Sequence, residues 1–201
     1  LMYVVLGRPL AALTNALNNW LGGMSGASAV ILGIVLGLMM CSDLGGPINK
    51  AAYLFATTNL AVTNVGSLKV MAAVMAAGMV PPLAMALSTT LRPKLYQPAE
   101  RENGTAAWLL GASFISEGAI PFAAADPLRV IPSMMVGGAT TGALSMALGA
   151  ASKAPHGGIF VFFAIDRVWA FILAIVVGTL VAALLVTALK ASARRKAAAA
   201  A

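Results

Sequence analysis

The sequence predicts an all-α integral membrane protein, a transmembrane helix bundle with a re-entrant hairpin and broken helices, and three observations carry that prediction. Of 201 residues, 60% are hydrophobic and only 9% charged, against roughly 25% charged in a soluble domain. That is too little charge to clothe a water-facing surface. Apolar runs long enough to cross a bilayer recur along the chain, separated by short polar segments that contain Gly and Pro. Glycine (20) and methionine (11) are abundant while aromatic residues make up 6%; glycine lets membrane helices approach closely, and a membrane β-barrel would instead alternate polar and apolar residues.

The formal charge of +7 does not point to nucleic acid. The basic residues form no stripe interleaved with aromatics; they sit at the edges of apolar runs, where the positive-inside rule places them. Cys41, the single cysteine, has no partner for a disulfide, a metal or a dithiol motif and reads as a small buried apolar residue. No phosphate-binding loop, metal-ligand spacing or nucleophile elbow is present. No cofactor, no metal and no self-contained soluble enzyme are therefore expected.

Taken in order, residues 1–7 (LMYVVLG) read as the end of a span already in progress, which implies further spans before them. Residues 8–24 mix Asn15, Asn18 and Asn19 with Leu and Trp at helical spacing, the pattern of an amphipathic helix lying at the interface. Residues 27–41 are apolar over 15 positions, about 22 Å of helix. The segment SDLGGPINKAA (42–52) then breaks the helix with Gly-Gly-Pro. Residues 70–91 are long enough to span, with a kink expected at Pro81-Pro82. After a charged loop, residues 105–116 supply about half a bilayer of helix and stop at EGAIPF (117–122), the pattern of a re-entrant hairpin. Residues 130–151 and 169–189 are two further spans, separated by KAPHGG (153–158). One membrane domain over 1–190 and a basic, Ala-rich cytoplasmic tail over 191–201 are expected. Walking back from that tail puts Arg129 and the 92–104 loop on the same side.

Ionisable groups at membrane depth are costly, so each is a functional candidate by default. Glu117, at the tip of a half-helix, either accepts hydrogen bonds from a polar solute or caps its own turn or pairs with Arg129. His156, the only histidine, sits in a Gly/Pro-rich break; a lone histidine is more often structural, but two polar breaks in one chain fit a site assembled from discontinuous helices. In the first break Asn49 and Asp43 are candidate ligands, and Lys50 is either a third or the partner of Asp43. Asp126 and Arg129 have the i,i+3 spacing of a structural ion pair, and Asp166-Arg167 read as an interface pair ahead of the last span.

The segments SDLGGPINKAAY (42–53), AAGMVPPLAMAL (76–87), FISEGAIPFAAADPLRVIP (114–132) and APHGG (154–158) together resemble the C domain of fructose-family permeases of the phosphotransferase system. The resemblance covers residues 8 to about 190. It implies a homodimeric, multi-pass protein of the bacterial inner membrane that binds and translocates fructose or a relative while a phosphorylated cytoplasmic B domain donates phosphate, typically giving fructose 1-phosphate. It assigns Glu117 and His156 as the groups that hold the sugar and assist its hydroxyl. The chain alone, without a B domain, would not transfer phosphate. A different class, an ion-coupled secondary transporter of a small polar solute with Glu117 or Asp126 as its protonation site, is the competing reading.

Overall fold

A computed structural model describes residues 26–58, 60–61 and 63–199, with Ala16, Asn19 and Gly23 besides. Apart from those three residues, the expected span end at 1–7 and interfacial helix at 8–24 lie outside the described residues. The helices are α1 (Ala27–Ser42), α2 (Pro47–Thr58), α3 (Val65–Leu91), α4 (Pro98–Ala112), α5 (Ile120–Ala125), α6 (Pro127–Leu148) and α7 (Val168–Ala199). A short antiparallel pair, β1 (Ala151–Ser152) and β2 (Ile165–Asp166), closes the loop between α6 and α7. Helices α3, α6 and α7 are each long and apolar enough to cross a membrane. The architecture is the expected all-α membrane bundle.

Helix α3 is the axis. Its 27 residues are apolar almost all round, and nearly every side chain between Ser67 and Thr89 is buried, as a helix enclosed by others must be. Against it pack α1, α4, α6 and α7, with α6 lying between α1 and α7. Close approach comes from glycine. Gly33 and Gly37 of α1 oppose Gly142 and Gly138 of α6, so that a Cβ on any of the four would meet the facing backbone carbonyl. These are two GxxxG faces packed antiparallel, the geometry by which membrane helices gain dispersion contacts without a hydrophobic drive. Gly137 of α6 meets Gly178 of α7 in the same way.

Pro81 and Pro82 do not interrupt α3, which runs unbroken through them. Each lacks a backbone N–H and leaves the carbonyl four residues earlier without its helical donor. Those carbonyls are Ala77 and Gly78, and neighbouring segments take them up. The Cys41 thiol donates to the Ala77 carbonyl at 3.4 Å, and the Ser116 hydroxyl to the Gly78 carbonyl at 2.7 Å. The proline pair therefore creates two acceptors in the middle of the bundle, one holding the end of α1 and one the tip of the hairpin. Satisfying freed backbone groups inside protein is the condition for irregular chain at membrane depth.

The hairpin has the expected re-entrant shape. Helix α4 starts earlier than the sequence pattern marks, at Pro98, so its 15 residues rise about 22 Å before the turn at 113–119 sends the chain back through α5. Both ends return to one level, because Lys190 of α7 lies 3.7 Å from Glu100 and 3.4 Å from Asp126. The Asp126–Arg129 pair forms as its spacing predicts, at 2.9 Å. The Lys190 ammonium also sits 4.8 Å from the centre of the Tyr96 ring, and Tyr96 in turn hydrogen bonds Ser88 of α3, which bonds Thr187 of α7. Instead of ending near Leu189, α7 carries on through Lys190 to Ala199.

Arg92, Lys94, Arg101, Arg129, Lys190, Arg194, Arg195 and Lys196 all belong to this end of the bundle, whereas Lys69, Lys153 and Arg167 belong to the other. The positive-inside rule assigns the first end to the cytoplasm. Single cysteines at Gln97 and Ser192 are accordingly expected to react with an impermeant thiol reagent from the same, cytoplasmic side. Reaction from opposite faces would overturn this topology.

Candidate functional site

The site is built from the two breaks and the hairpin tip. Helix α1 stops at Ser42, and Asp43 turns its carboxylate onto the start of α2, accepting from the backbone N–H of Ile48 at 2.6 Å and of Asn49 at 3.0 Å. This is the favourable placement for an anion at a helix N-terminus. Two glycines are required there. Gly45 has φ +107°, and a Cβ on it would strike the Glu117 carboxylate; one on Gly46 would strike Asp43. Asn49 is buried, and its amide donates to the Met40 carbonyl at 2.7 Å, tying α2 to the last turn of α1. The next residue, Lys50, donates to the Gly45 carbonyl at 3.1 Å and reaches Glu117 at 3.4 Å.

Glu117 follows Ser116, the residue anchored on the proline-freed carbonyl, in a single 3-10 turn at the hairpin tip. Just before it Phe114 adopts φ +65°, a left-handed conformation that costs a non-glycine residue roughly 1–2 kcal/mol. Of the three non-glycine residues with positive φ among the described residues, Leu44 and Phe114 lie in the segments that form the site, where strain of this kind concentrates. The turn lays the Phe114 ring over Gly78 and beside His156, with ring centres 4.9 Å apart. His156 is delivered by a loop pressed against the hairpin: Gly158, at φ +59°, leaves no space for a Cβ beside the Ala112 carbonyl and the Phe114 N–H. Tyr53 of α2 completes the aromatic wall, 6.1 Å from Phe114 and 6.3 Å from His156.

Asn49, Lys50, Tyr53, Phe114, Ser116, Glu117 and His156 together line one cavity of about 160 Å³. The structure thus brings four of the five sequence candidates to one place, from segments up to 107 positions apart (49 to 156). The fifth, Asp43, does not line the cavity; its carboxylate is used by the backbone that carries Asn49 and Lys50. Two pairings weighed from the sequence are replaced. Lys50 meets Glu117 rather than Asp43, and Arg129 meets Asp126 rather than Glu117. Asp126 lies at the basic end of the bundle, outside the cavity. Asp166, placed ahead of the last span as expected, pairs with Lys153 at 3.2 Å.

Tyr53, Phe114 and Ser116 are lining residues that sequence reasoning missed. The signal for Ser116 lay in Pro81-Pro82, which demand hydroxyl or thiol donors from elsewhere. Among the described residues no group of three or more His, Cys, Asp or Glu side chains is arranged to hold a metal. The chemistry on offer is that of a polar solute site: a carboxylate, an ammonium, an imidazole, an amide and a hydroxyl around a small chamber with aromatic faces. Its volume is below the roughly 300–1,000 Å³ of sites for drug-sized ligands, which suits a small hydrophilic molecule.

Comparison with known proteins identifies relatives of the chain. The chain is 53% identical over 192 residues to the PTS system fructose-specific EIIB'BC component of Escherichia coli (strain K12), a match covering 94% of this chain and 34% of that protein. It is 48% identical to the PTS system fructose-specific EIIC component of Haloferax volcanii, over 94% of this chain and 50% of that one. To the Fructose permease IIC component of Bacillus amyloliquefaciens it is 44% identical, over 94% and 61%. The chain spans about a third to three fifths of the length of these relatives. No protein-family profile matches it, and no solved structure does. Identity near one half, carried along almost the whole chain, makes this multi-pass membrane protein a relative of the fructose-specific EIIC components of the phosphotransferase system.

Proposed function

We propose that the chain forms the sugar-holding part of a phosphoenolpyruvate-dependent fructose permease of the bacterial inner membrane, and that the cavity between α2, the hairpin tip and the His156 loop is its sugar site. The observation that carries this reading is the convergence of Asn49, Lys50, Glu117 and His156 on one small chamber at the level of the proline pair of α3. A ketohexose offers hydroxyls that donate and accept, and these side chains supply both kinds of partner. Tyr53 and Phe114 offer apolar faces to the C–H side of the ring.

In the proposed reaction a phosphoryl group carried on the cysteine sulfur of a separate or fused B domain transfers to the sugar, and the thiolate is the leaving group. The S–P bond breaks, an O–P bond forms to a sugar hydroxyl, and the hydroxyl proton passes to Glu117 or His156. Such transfer depends on positioning and charge stabilisation more than on covalent chemistry by the acceptor protein. Lys50, 3.4 Å from Glu117, holds the carboxylate in place and adds positive charge where phosphate arrives. Asp43 is a positioning residue, fixing the turn that presents Asn49 and Lys50. The sugar, the phosphorylated B domain and a second copy of the permease are the proposed partners.

Vesicles carrying the full-length permease provide the test. Uptake of labelled fructose is expected to require phosphoenolpyruvate and the soluble phosphotransfer proteins, to deliver the sugar as its phosphate, and to persist when a protonophore collapses the proton gradient. Uptake of free sugar abolished by the protonophore would instead establish the ion-coupled transporter.

A further inference from the structure

At the basic end of the bundle, away from the sugar chamber, a groove of about 580 Å³ opens between the end of α3, the 3-10 turn Pro93–Leu95 and the last turns of α7. We propose that it binds the phosphate headgroup of an anionic glycerophospholipid.

Three features converge on that ligand. First, Arg92, Lys94 and Arg195 line the groove and no carboxylate does. Nor does any of the three cations have an ion-pair partner among the described residues. The neighbouring cavity differs in kind: there Lys190 and Arg129 are already paired with Glu100 and Asp126. Second, the remaining lining is largely apolar, with Leu91, Leu95, Leu184, Ala188 and Ala191. Leu91 and Leu184 are 54% and 60% exposed. From Leu184 an exposed apolar stripe runs down α7 through Leu180, Val176 and Leu173, at the 3–4 residue spacing that keeps side chains on one helix face. A cationic head compartment continuing into an apolar stripe has the shape of a phospholipid rather than of an acidic protein. Third, the groove is braced. Thr187 bonds Ser88 at 2.6 Å, and the Arg194 guanidinium donates to the Lys94 carbonyl, holding the 3-10 turn against α7.

The depth also fits. Positive-inside placement puts this end at the cytoplasmic headgroup layer, where basic pockets between membrane helices recognise anionic head groups. Selectivity over zwitterionic lipid follows, because a choline head would bring its own cation against three unpaired ones.

Native mass spectrometry of the full-length permease, titrated with phosphatidylglycerol or with phosphatidylcholine of the same acyl chains, tests the proposal. One tight phosphatidylglycerol adduct per chain is expected and no matching phosphatidylcholine adduct. With each cation contributing about fivefold, R92Q/K94Q/R195Q weakens the adduct roughly a hundredfold. R195Q alone, at an exposed position in the last turns of α7, weakens it about fivefold and guards against misfolding of the triple variant. K196Q, which removes a neighbouring charge outside the groove, leaves it unchanged. Equal binding of the two lipids, or an R195Q variant that retains full phosphatidylglycerol affinity, overturns the proposal. So does a thermal shift with inorganic phosphate alone equal to that with phosphatidylglycerol, which would make the groove an anion site without a lipid requirement. A second permease copy or an acidic protein seated there would appear as an adduct that displaces phosphatidylglycerol, with the same consequence.

Discussion

Replacing Glu117 by Gln is expected to lower sugar affinity by one to two decades while the protein remains folded and inserted. The exchange preserves shape and removes the charge. Hydrogen bonds to an ionised carboxylate are about twice as strong as neutral ones, so the loss at the site is on the order of 1–3 kcal/mol. The structural contribution of the same carboxylate is small. Its contact with Lys50 joins side chains that are 47% and 60% exposed, and exposed pairs contribute about 0–1 kcal/mol. At roughly 2–4 °C per kcal/mol for a chain of this size, the melting temperature should fall by less than about 4 °C. Sugar binding and thermal stability measured together on the full-length protein separate the two roles: unchanged affinity with a clearly lowered melting point would show that Glu117 serves only the hairpin.

The second large effect is expected at Lys190, where the balance is reversed and stability, not binding, should suffer. The side chains of Lys190, Glu100 and Asp126 are only 10%, 12% and 14% exposed. Asp126 keeps Arg129 when Lys190 is lost, but Glu100 has no second cation among the described residues, and its Oε1 accepts no hydrogen bond from them. Lys190→Met therefore strands a nearly buried carboxylate, at a cost of about 3 kcal/mol, and the melting point should drop by roughly 6–12 °C. Adding Glu100→Gln to Lys190→Met is expected to recover most of the loss, because the cost lies in the unpaired charge rather than in the missing lysine. A drop below about 1 kcal/mol in the single variant would mean that the cluster behaves as an ordinary surface pair.

The same cluster has a pH signature outside the spans. Burial pushes the Tyr96 hydroxyl up to about 12, opposed by the Ser88 hydrogen bond and reinforced by Glu100 and Asp126. A raised folded-state value means that this contribution is complete below the ordinary tyrosine range near 10 and is lost as pH climbs towards 12. Alkaline weakening of the clasp between α3, α4 and α7 follows in that window.

The sequence by itself determined the class of the protein and the addresses of its polar breaks. Scarce charge, bilayer-length apolar runs and Gly/Pro interruptions report directly on the solvent each segment meets, and that information is local. Hence the spans, the re-entrant hairpin, the Asp126–Arg129 pair and the candidacy of Asn49, Lys50, Glu117 and His156 could all be read from the chain. The pattern GIVLG (33–37) facing GATTG (138–142) was equally present to be read as close-packing faces. What each break does to the others was decided only in three dimensions. Whether Lys50 meets Asp43 or Glu117 depends on how α2 lies against the hairpin tip, and that is fixed by contacts with large separation in sequence. Chief among them are the two carbonyls that Pro81 and Pro82 release, which Cys41 and Ser116 bind from 36 and 38 positions away. A proline's missing donor is visible in one line of sequence; which hydroxyl or thiol takes up the freed carbonyl is settled by packing, because any such donor that the fold brings within about 3 Å satisfies the same demand.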